Sequence, residues 1–460
     1  MAKKTAEALA VDDSQVRLDT LSTLAVELMQ RARVRGVDQA EVGVNEGRGL
    51  NVGVRMGDVE TVEFTRDRGL SLTVYFAGAD GRRKGTASSA DLSPASIEAT
   101  LDQACAIARY TQPDPYSGLG DPERMATQFP DLDAWHPWAI DADAAVEMGI
   151  ACEAAGRDAD PRIGNSEGAQ VSTGESVQVY ANSHGFVGAE RGTHHSISCS
   201  LIAGAGDSMQ RDYWYTMGLS PDDLESPEAV GRQAAERAVR RLDPRTPPTG
   251  NFPVLLASDM ARSLIGHMLG AVSGGAQYRE ASFLLGAVGE RIFPDWFSLH
   301  EHPQLPRGLR SANFDGDGIA TSDSDLVRDG VLSRYLLGSY SARKLGLQST
   351  GNAGGVHNLT ATVGKADTAT LLRGMQRGLY VTELMGQGVN PVTGDYSRGA
   401  AGFWVESGEL AYPVDEATIA GNLRQVFLAL KAVGREIDPR SHIRIGPALI
   451  GSMMVAGSGA

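Results

Sequence analysis

The sequence predicts an α+β chain in two domains, with antiparallel sheets flanked by helices. Glycine is abundant, at 55 residues, while aromatic residues make up only 6%. That composition suits many turns and close backbone approaches rather than a helical bundle. Apolar residues recur at helical spacing in some segments and alternate with period two in others. The Pro-rich stretch DPRTPPTGNFP is the best linker in the chain and predicts a boundary that separates residues 1–247 from 248–460.

Taken in order, Leu18 to Arg35 repeats apolar residues at helical spacing (Leu21, Leu24, Ala25, Leu28), and the period then changes to two in AEVGVNEG, LNVGVRMG, ETVEF and LSLTVYF. A strand meander therefore follows a first helix. SPASIEATLDQACAIARY is helical with Ser93 as N-cap, and DADAAVEMGIACEAAGRDA is a further helix. Strands resume in ESVQVYANSHGFVGAE, where Ser-His-Gly supplies a turn, and continue through HHSISCSLIAGA. The helix SPEAVGRQAAERAVRRL closes the first half. The second half opens on strand FPVLLA, enters a helix over Ser258 to Val272, and runs through strand-and-turn segments to the hairpin AAGFWVESGELAYPV. A last helix near GNLRQVFLALKAVG precedes short terminal strands, and no fixed-period repeat or low-complexity segment is visible.

With 460 residues, 42% of them hydrophobic, the chain is long enough for domains with real cores. Net charge is −15 and the basic residues are scattered. Nothing offers the basic stripe that phosphate neutralisation requires, so direct nucleic-acid binding is excluded. Cys105, Cys152 and Cys199 are too few and unpatterned for a disulfide framework, and they suit a reducing cytoplasm. The amino-terminal MAKKTAEALAVDDSQ lacks an apolar run, and no stretch approaches bilayer length, so the expectation is a soluble cytoplasmic protein without a membrane partner.

Several motifs invite chemistry. GNSEG at Gly164 to Gly168 has the spacing of a nucleophile elbow, but the adjoining AQVSTGESVQVYAN reads as turn and strand, so Ser166 is expected in a plain turn. DGDG at Asp315 to Gly318 resembles a calcium loop, yet Ile319 and Ala320 stand where a ligand and a glycine are needed, which leaves an acidic surface turn. HEH at His300 to His302 puts two imidazoles on one face of an extended segment, a geometry that can grip a metal. Against this, Pro294, Pro303 and Pro306 predict an irregular exposed loop. His194 and His195 point to opposite faces of their strand and read as structural.

In ASDMARSLIGHMLGAV (Ala257 to Val272), Met260, Leu264, Ile265, Met268, Leu269 and Val272 share one broad arc, and Ser263, Gly266, Gly270 and Ser273 share another flank. His267 sits at the rim between them. Zinc needs at least three protein donors, and no second His or Glu lies within one helical turn.

The strings GHMLGAVSGG, FPDWFSLHEHPQLPRGL, SYSARKLGLQSTGNAGGVHN, VTELMGQGVNPVTGDYSRGAAGFWVESGELAYPV and TIAGNL, with ETVEF, ARYTQPDPY and ANSHGF in the first half, resemble the TldE/PmbA branch of the TldD/PmbA family. The resemblance covers nearly the whole chain. It implies a cytoplasmic metallopeptidase built from two related subunits that cleaves unfolded peptides and trims leader peptides. The TldD-like sister carries an H-E-x-x-x-H motif and a distant Cys that hold the catalytic metal, zinc or a similar divalent ion; the TldE/PmbA subunit lacks them.

If GHMLG matches the second half of that motif, His267 stands at the second His, while Arg262 and Ser263 replace the first His and the Glu. A cation then takes the place of a ligand and a hydroxyl the place of the general base. No cysteine follows Cys199. The chain is therefore expected to hold no cofactor and no catalytic residue of its own, with His267, His300 and His302 as the secondary metal candidates. Its expected contribution is a chamber wall or partner contact at the Gly-rich turns GNAGGVHN and GDYSRG, through Gly354, Gly355, His357, Asp395, Tyr396, Ser397 and Arg398.

Patterning and resemblance together make the second domain strand-rich and barrel-like. The expected partners are a TldD-like sister and unfolded peptides, with a homodimer as the form without the sister. Two alternatives stand beside this reading: a stand-alone zinc peptidase acting as a homo-oligomer, and a protein-binding regulator without catalysis.

Overall fold

The computed structural model describes residues 12–457; most of the amino-terminal segment MAKKTAEALAVDDSQ, residues 1–11, lies outside them. Helix α1 (Ser14–Val34) leads into β1 (Gln39–Arg55), β2 (Asp58–Gly78) and β3 (Gly81–Ser89), followed by α2 (Pro94–Tyr110) and α3 (Ala142–Arg157). Strands β4 (Ile163–Asn182), β5 (Val187–Ala203) and β6 (Gln210–Gly218) and helix α4 (Pro227–Arg240) complete the first half. The six strands form one antiparallel sheet in the order β3-β2-β1-β4-β5-β6. As expected, Ser93 caps α2 by accepting from Ser96 N, and the Ser-His-Gly turn joins β4 to β5.

The four segments AEVGVNEG, LNVGVRMG, ETVEF and LSLTVYF are two strands rather than four, one long hairpin turning at Met56 and Gly57. Gly47 and Gly49 look like strand breaks but are paired residues. At Gly49 a side chain would crowd Thr65 Oγ1 and Thr173 O.

All four helices cover one face of this sheet. Leu21, Leu28 and Leu101 pack on Val42, Leu72 and Val179, while Cys152, Val230 and Ala234 pack on Val52, Val171 and Leu201. Because side chains alternate along a strand, the residues between these, such as Gly43, Asn45 and Gln178, lie on the helix-free face. Helices α3 and α4 touch backbone to backbone: a Cβ on Gly231 would sit 1.9 Å from Cys152 O.

The second half starts with β7 (Gly250–Leu256), α5 (Ser258–Ala271) and α6 (Gly274–Tyr278), then β8 (Leu299–His302), β9 (Ser324–Arg328) and β10 (Val331–Leu332). Helix α7 (Ser339–Leu345), β11 (Asn358–Ala361) and α8 (Thr368–Met375) precede β12 (Gly378–Met385), β13 (Asp395–Glu406) and β14 (Glu409–Asn422). The chain ends its described part with α9 (Leu423–Leu428), β15 (Leu430–Val433), β16 (Ile443–Arg444) and β17 (Ala448–Ala456). The predicted helix through GNLRQVFLALKAVG is thus shorter than expected, because Leu430–Val433 pairs with β17 instead of continuing the turn.

One sheet has the order β14-β13-β12-β7-β17-β15, and β14 also pairs with β17. That extra ladder closes five strands into a barrel. The second sheet, β10-β9-β8-β11-β16, shares a continuous core with it, in which Phe297 and Leu359 join Trp404 and Phe427. The structure is therefore α+β, with mainly antiparallel sheets and a barrel in the second half.

Candidate functional site

Helix α5 buries Ala261, Leu264, Ile265 and Met268, with Met260 and Leu269 half-buried against the same core. The small flank behaves differently from a packed surface: a Cβ on Gly266 or Gly270 would meet nothing within 4 Å. The three motif positions do not converge. Arg262 reaches across to the first half, 3.5 Å from the Tyr215 hydroxyl, and lies 3.9 Å from Asp438 of its own half. Ser263 donates back to Met260 O at 2.7 Å, a bond internal to the helix.

His267 meets the edge of the Tyr396 ring, centroids 5.8 Å apart, and its Nε2 is buried with no hydrogen-bond partner. Burial, and then the charge of Arg398, push its pKa down. The Tyr396 hydroxyl is likewise buried and unpartnered, and burial pushes its pKa up to about 12. A divalent ion does not fit here, because the charged group facing His267 is a cation and its nearest partner is a neutral phenol.

Strand β13 explains which of the expected residues gather. Tyr396 and Arg398 share the face turned to α5, whereas Asp395 and Ser397 point out to solvent. Arg398 donates to Leu384 O and Met385 O at 3.3 and 3.4 Å. Asp395 accepts from Thr393 Oγ1 at 2.7 Å. GDYSRG, expected as a turn, is a turn only at Gly394; the residues after it are drawn into the barrel by pairing with β14.

The turn at Gly354 and Gly355 does lie on a cleft. A cavity of about 840 Å³ separates the helix-free face of the first sheet from two loops of the second half. Asn45, Gln178 and Glu190 line one side, and Arg310, Gly355 and His357 the other. Two further hollows, of about 430 and 550 Å³, adjoin it around Leu309. Glu190 has one carboxylate oxygen buried without a partner, and burial raises its pKa.

His357 is fixed by Glu301, which accepts from its backbone N at 2.7 Å and lies 2.9 Å from Nδ1. Glu301 also accepts from Asn352 Nδ2 at 3.0 Å and pairs with Arg334. It is 1% exposed. Burial alone raises its pKa, but the His357 hydrogen bond and the Arg334 charge outweigh that and bring it down to about 2. Reading by motif misses this anchor, although the period-two alternation of HEH places its middle residue on the inward face.

HEH itself is a correction. The segment is strand β8, not an exposed loop, because β9 and β11 pair with it on both sides. The rings of His300 and His302 lie 4.2 Å apart on the outer face. Asp323 Oδ2 is 3.2 Å from His302 Nδ1 and 3.9 Å from His300 Nε2. Among the described residues these three make the group with metal-ligand spacing, and His267 is not part of it.

The remaining motifs are structural. Ser166 is buried at an irregularity inside β4, not in a plain turn, and accepts from Gly168 N at 2.8 Å. Asp315 is buried rather than on an acidic surface turn. It accepts from the backbone of Asp317, Ile319 and Ala353, which ties DGDG to the Gly354 turn. His195 is buried and His194 exposed, on opposite faces as expected.

Sequence comparison decides the family. Profiles of the PmbA/TldA metallopeptidase domain 1, central domain and C-terminal domain match residues 40–108, 135–242 and 249–457. The chain is 47% identical over 420 residues to the metalloprotease PmbA of Escherichia coli O157:H7, covering 91% of this chain and 92% of that one. This chain belongs to the PmbA/TldD metallopeptidase family. A crystal structure from Bacteroides thetaiotaomicron, described as a modulator of DNA gyrase, superposes with a TM-score of 0.90 at 28% identity, over 95% of this chain and 99% of that one. The TldE structure from Thermococcus kodakarensis shares the PmbA/TldD fold at a TM-score of 0.81 and 20% identity, covering 94% and 99%. No helix among the described residues is long and apolar enough to cross a membrane.

Proposed function

We propose that this family member is the subunit of a TldD/TldE-type heteromeric metallopeptidase that lacks the catalytic metal. It pairs with a metal-bearing sister in the cytoplasm and contributes a wall of the chamber that holds unfolded peptides and leader peptides. The observation that carries this reading is the motif helix. Arg262 and Ser263 are committed to other contacts, and His267 faces Arg398 and Tyr396 rather than further ligands. A metal placed there would have one imidazole and the Arg398 cation beside it.

The cleft supports the wall assignment. Gly354 and Gly355 expose backbone at its rim, where a Cβ would meet open space. Exposed backbone recognises an extended chain without reading its side chains. The catalytic divalent ion, in this reading, belongs to the sister. A stand-alone peptidase would have to use His300 and His302, yet the intervening Glu301 points inward and is held ionised by His357 and Arg334, so it cannot activate water on the outer face.

The test is cleavage of an unfolded peptide by the purified chain alone, by the sister alone and by the mixture. The chain alone is expected to be inert and the mixture active, with activity retained when the chain carries His267→Gln. Cleavage by the chain alone that His267→Gln abolishes refutes the proposal.

A further inference from the structure

We propose that His300, His302 and Asp323 form a solvent-facing site for one divalent transition-metal ion of the zinc class, with Asp325 as the partner that orients His300. The site shares no residue with the motif helix and does not depend on the function proposed for the chain as a subunit.

Its geometry follows from the strands. Alternation along β8 sets both imidazoles on one face, and the antiparallel register places His300 opposite Asp325. The chain entering β9 therefore brings Asp323 over the two rings, and the donor atoms of the three residues all lie within 4.8 Å of one another. In a tetrahedral zinc site, with ligands about 2.0–2.2 Å from the metal, donor atoms stand roughly 3.3 Å apart. The 3.2 and 3.9 Å separations already present bracket that value.

His300 Nδ1 is bonded to Asp325 Oδ1 at 2.6 Å, which leaves Nε2 as the free donor. A carboxylate on the distal nitrogen of a ligating imidazole fixes the tautomer and raises its basicity. The second oxygen of Asp325 is held in turn by Arg328. Two imidazoles and one carboxylate are hard-to-borderline donors that suit zinc, cobalt or nickel.

The side chains of His300, His302 and Asp323 are 34%, 36% and 63% exposed, so a fourth position opens to solvent and the ion exchanges. Its effect is to clip β8 to the segment that leads into β9.

The full chain, stripped with chelator and dialysed, is titrated with Co²⁺ and then Zn²⁺, following the visible d–d absorption of tetrahedral cobalt. One equivalent of Co²⁺ is expected to give the spectrum and Zn²⁺ to displace it. His300→Gln and His302→Gln should each abolish it, and Asp325→Asn, which keeps every ligand, should weaken binding about 10- to 100-fold. His267→Gln should leave it unchanged. Circular dichroism of each variant in chelator checks the fold, and Asp325→Asn serves as the reading if a histidine variant melts early. The inference is overturned if no saturable tetrahedral spectrum forms, or if it survives both histidine substitutions.

Discussion

Replacing Glu301 by Gln removes a negative charge from the inward face of β8 and leaves Arg334, whose side chain is only 16% exposed, without its counter-ion. The native carboxyl titrates at about 2, against 4.5 when free. At about 1.4 kcal/mol per pKa unit this difference is worth roughly 3 kcal/mol. Breaking a buried ion pair by deleting one partner costs about 3–5 kcal/mol, which agrees.

For a domain of roughly 200 residues, each kcal/mol moves the melting temperature by about 2–4 °C, so Glu301→Gln should melt about 6–12 °C below wild type. The assay is thermal unfolding by near-ultraviolet circular dichroism at neutral pH, with Arg334→Met and the double variant alongside. The double variant should recover part of the loss, because no unpaired cation remains. A depressed carboxyl stabilises the fold fully above its unfolded pKa and loses that contribution as pH falls through the folded one. The gap between wild type and variant should therefore shrink from about pH 4.5 to about pH 2. A Glu301→Gln melting point within about 2 °C of wild type, the scale of an ordinary surface change, would refute the reasoning.

Asp315 should show the opposite sign. Burial, and then the neighbouring Asp317 charge, raise its pKa to about 6 from 3.8. The folded state thus binds the proton more tightly, and stability rises as pH falls from above 6 towards 3.8. Urea midpoints measured across that range should slope upward on acidification in wild type and lose that part of the slope in Asp315→Asn. Gly231→Ala drives a Cβ to 1.9 Å from Cys152 O and should cost more than about 4 kcal/mol or abolish soluble expression, whereas Gly266→Ala, in open space on a helix, should gain about 0.5–1 kcal/mol. Thermal melts of the two variants separate these outcomes.

Much of this architecture is written in local periodicity. The amphipathic arc of α5, the cap at Ser93 and the Ser-His-Gly and Ser407–Gly408 hairpins all follow from neighbours in sequence. The failures have a common cause, which is pairing with residues far along the chain. Proline density makes HEH look like a loop, but β9 and β11 supply ladders that no local window contains. The acidic turn at Asp315 looks exposed because its partner, Ala353 N, arrives from a distant loop. The site is partly legible in the same sense: His267, Tyr396 and Arg398 each stand out, but only the packing of β13 beside α5 brings them together. Glu301 escapes notice because two more conspicuous histidines flank it.

The barrel closure has a consequence for the order in which the chain acquires its shape. Strand β7, the first of the second half, lies between β12 and β17, and β17 is the last strand described. Its neighbours are thus made long after it, while β1 to β6 are joined mostly by hairpins between consecutive strands. Bringing distant segments together carries a loop-closure entropy that local hairpins avoid. During synthesis the first sheet can be assembled while β7 still waits with both edges unpaired, and an unpaired apolar strand is a template for the wrong partner. Topology therefore predicts that sealing the barrel is slower than assembling the first sheet, which leaves the nascent second half as the part a chaperone has most reason to shield.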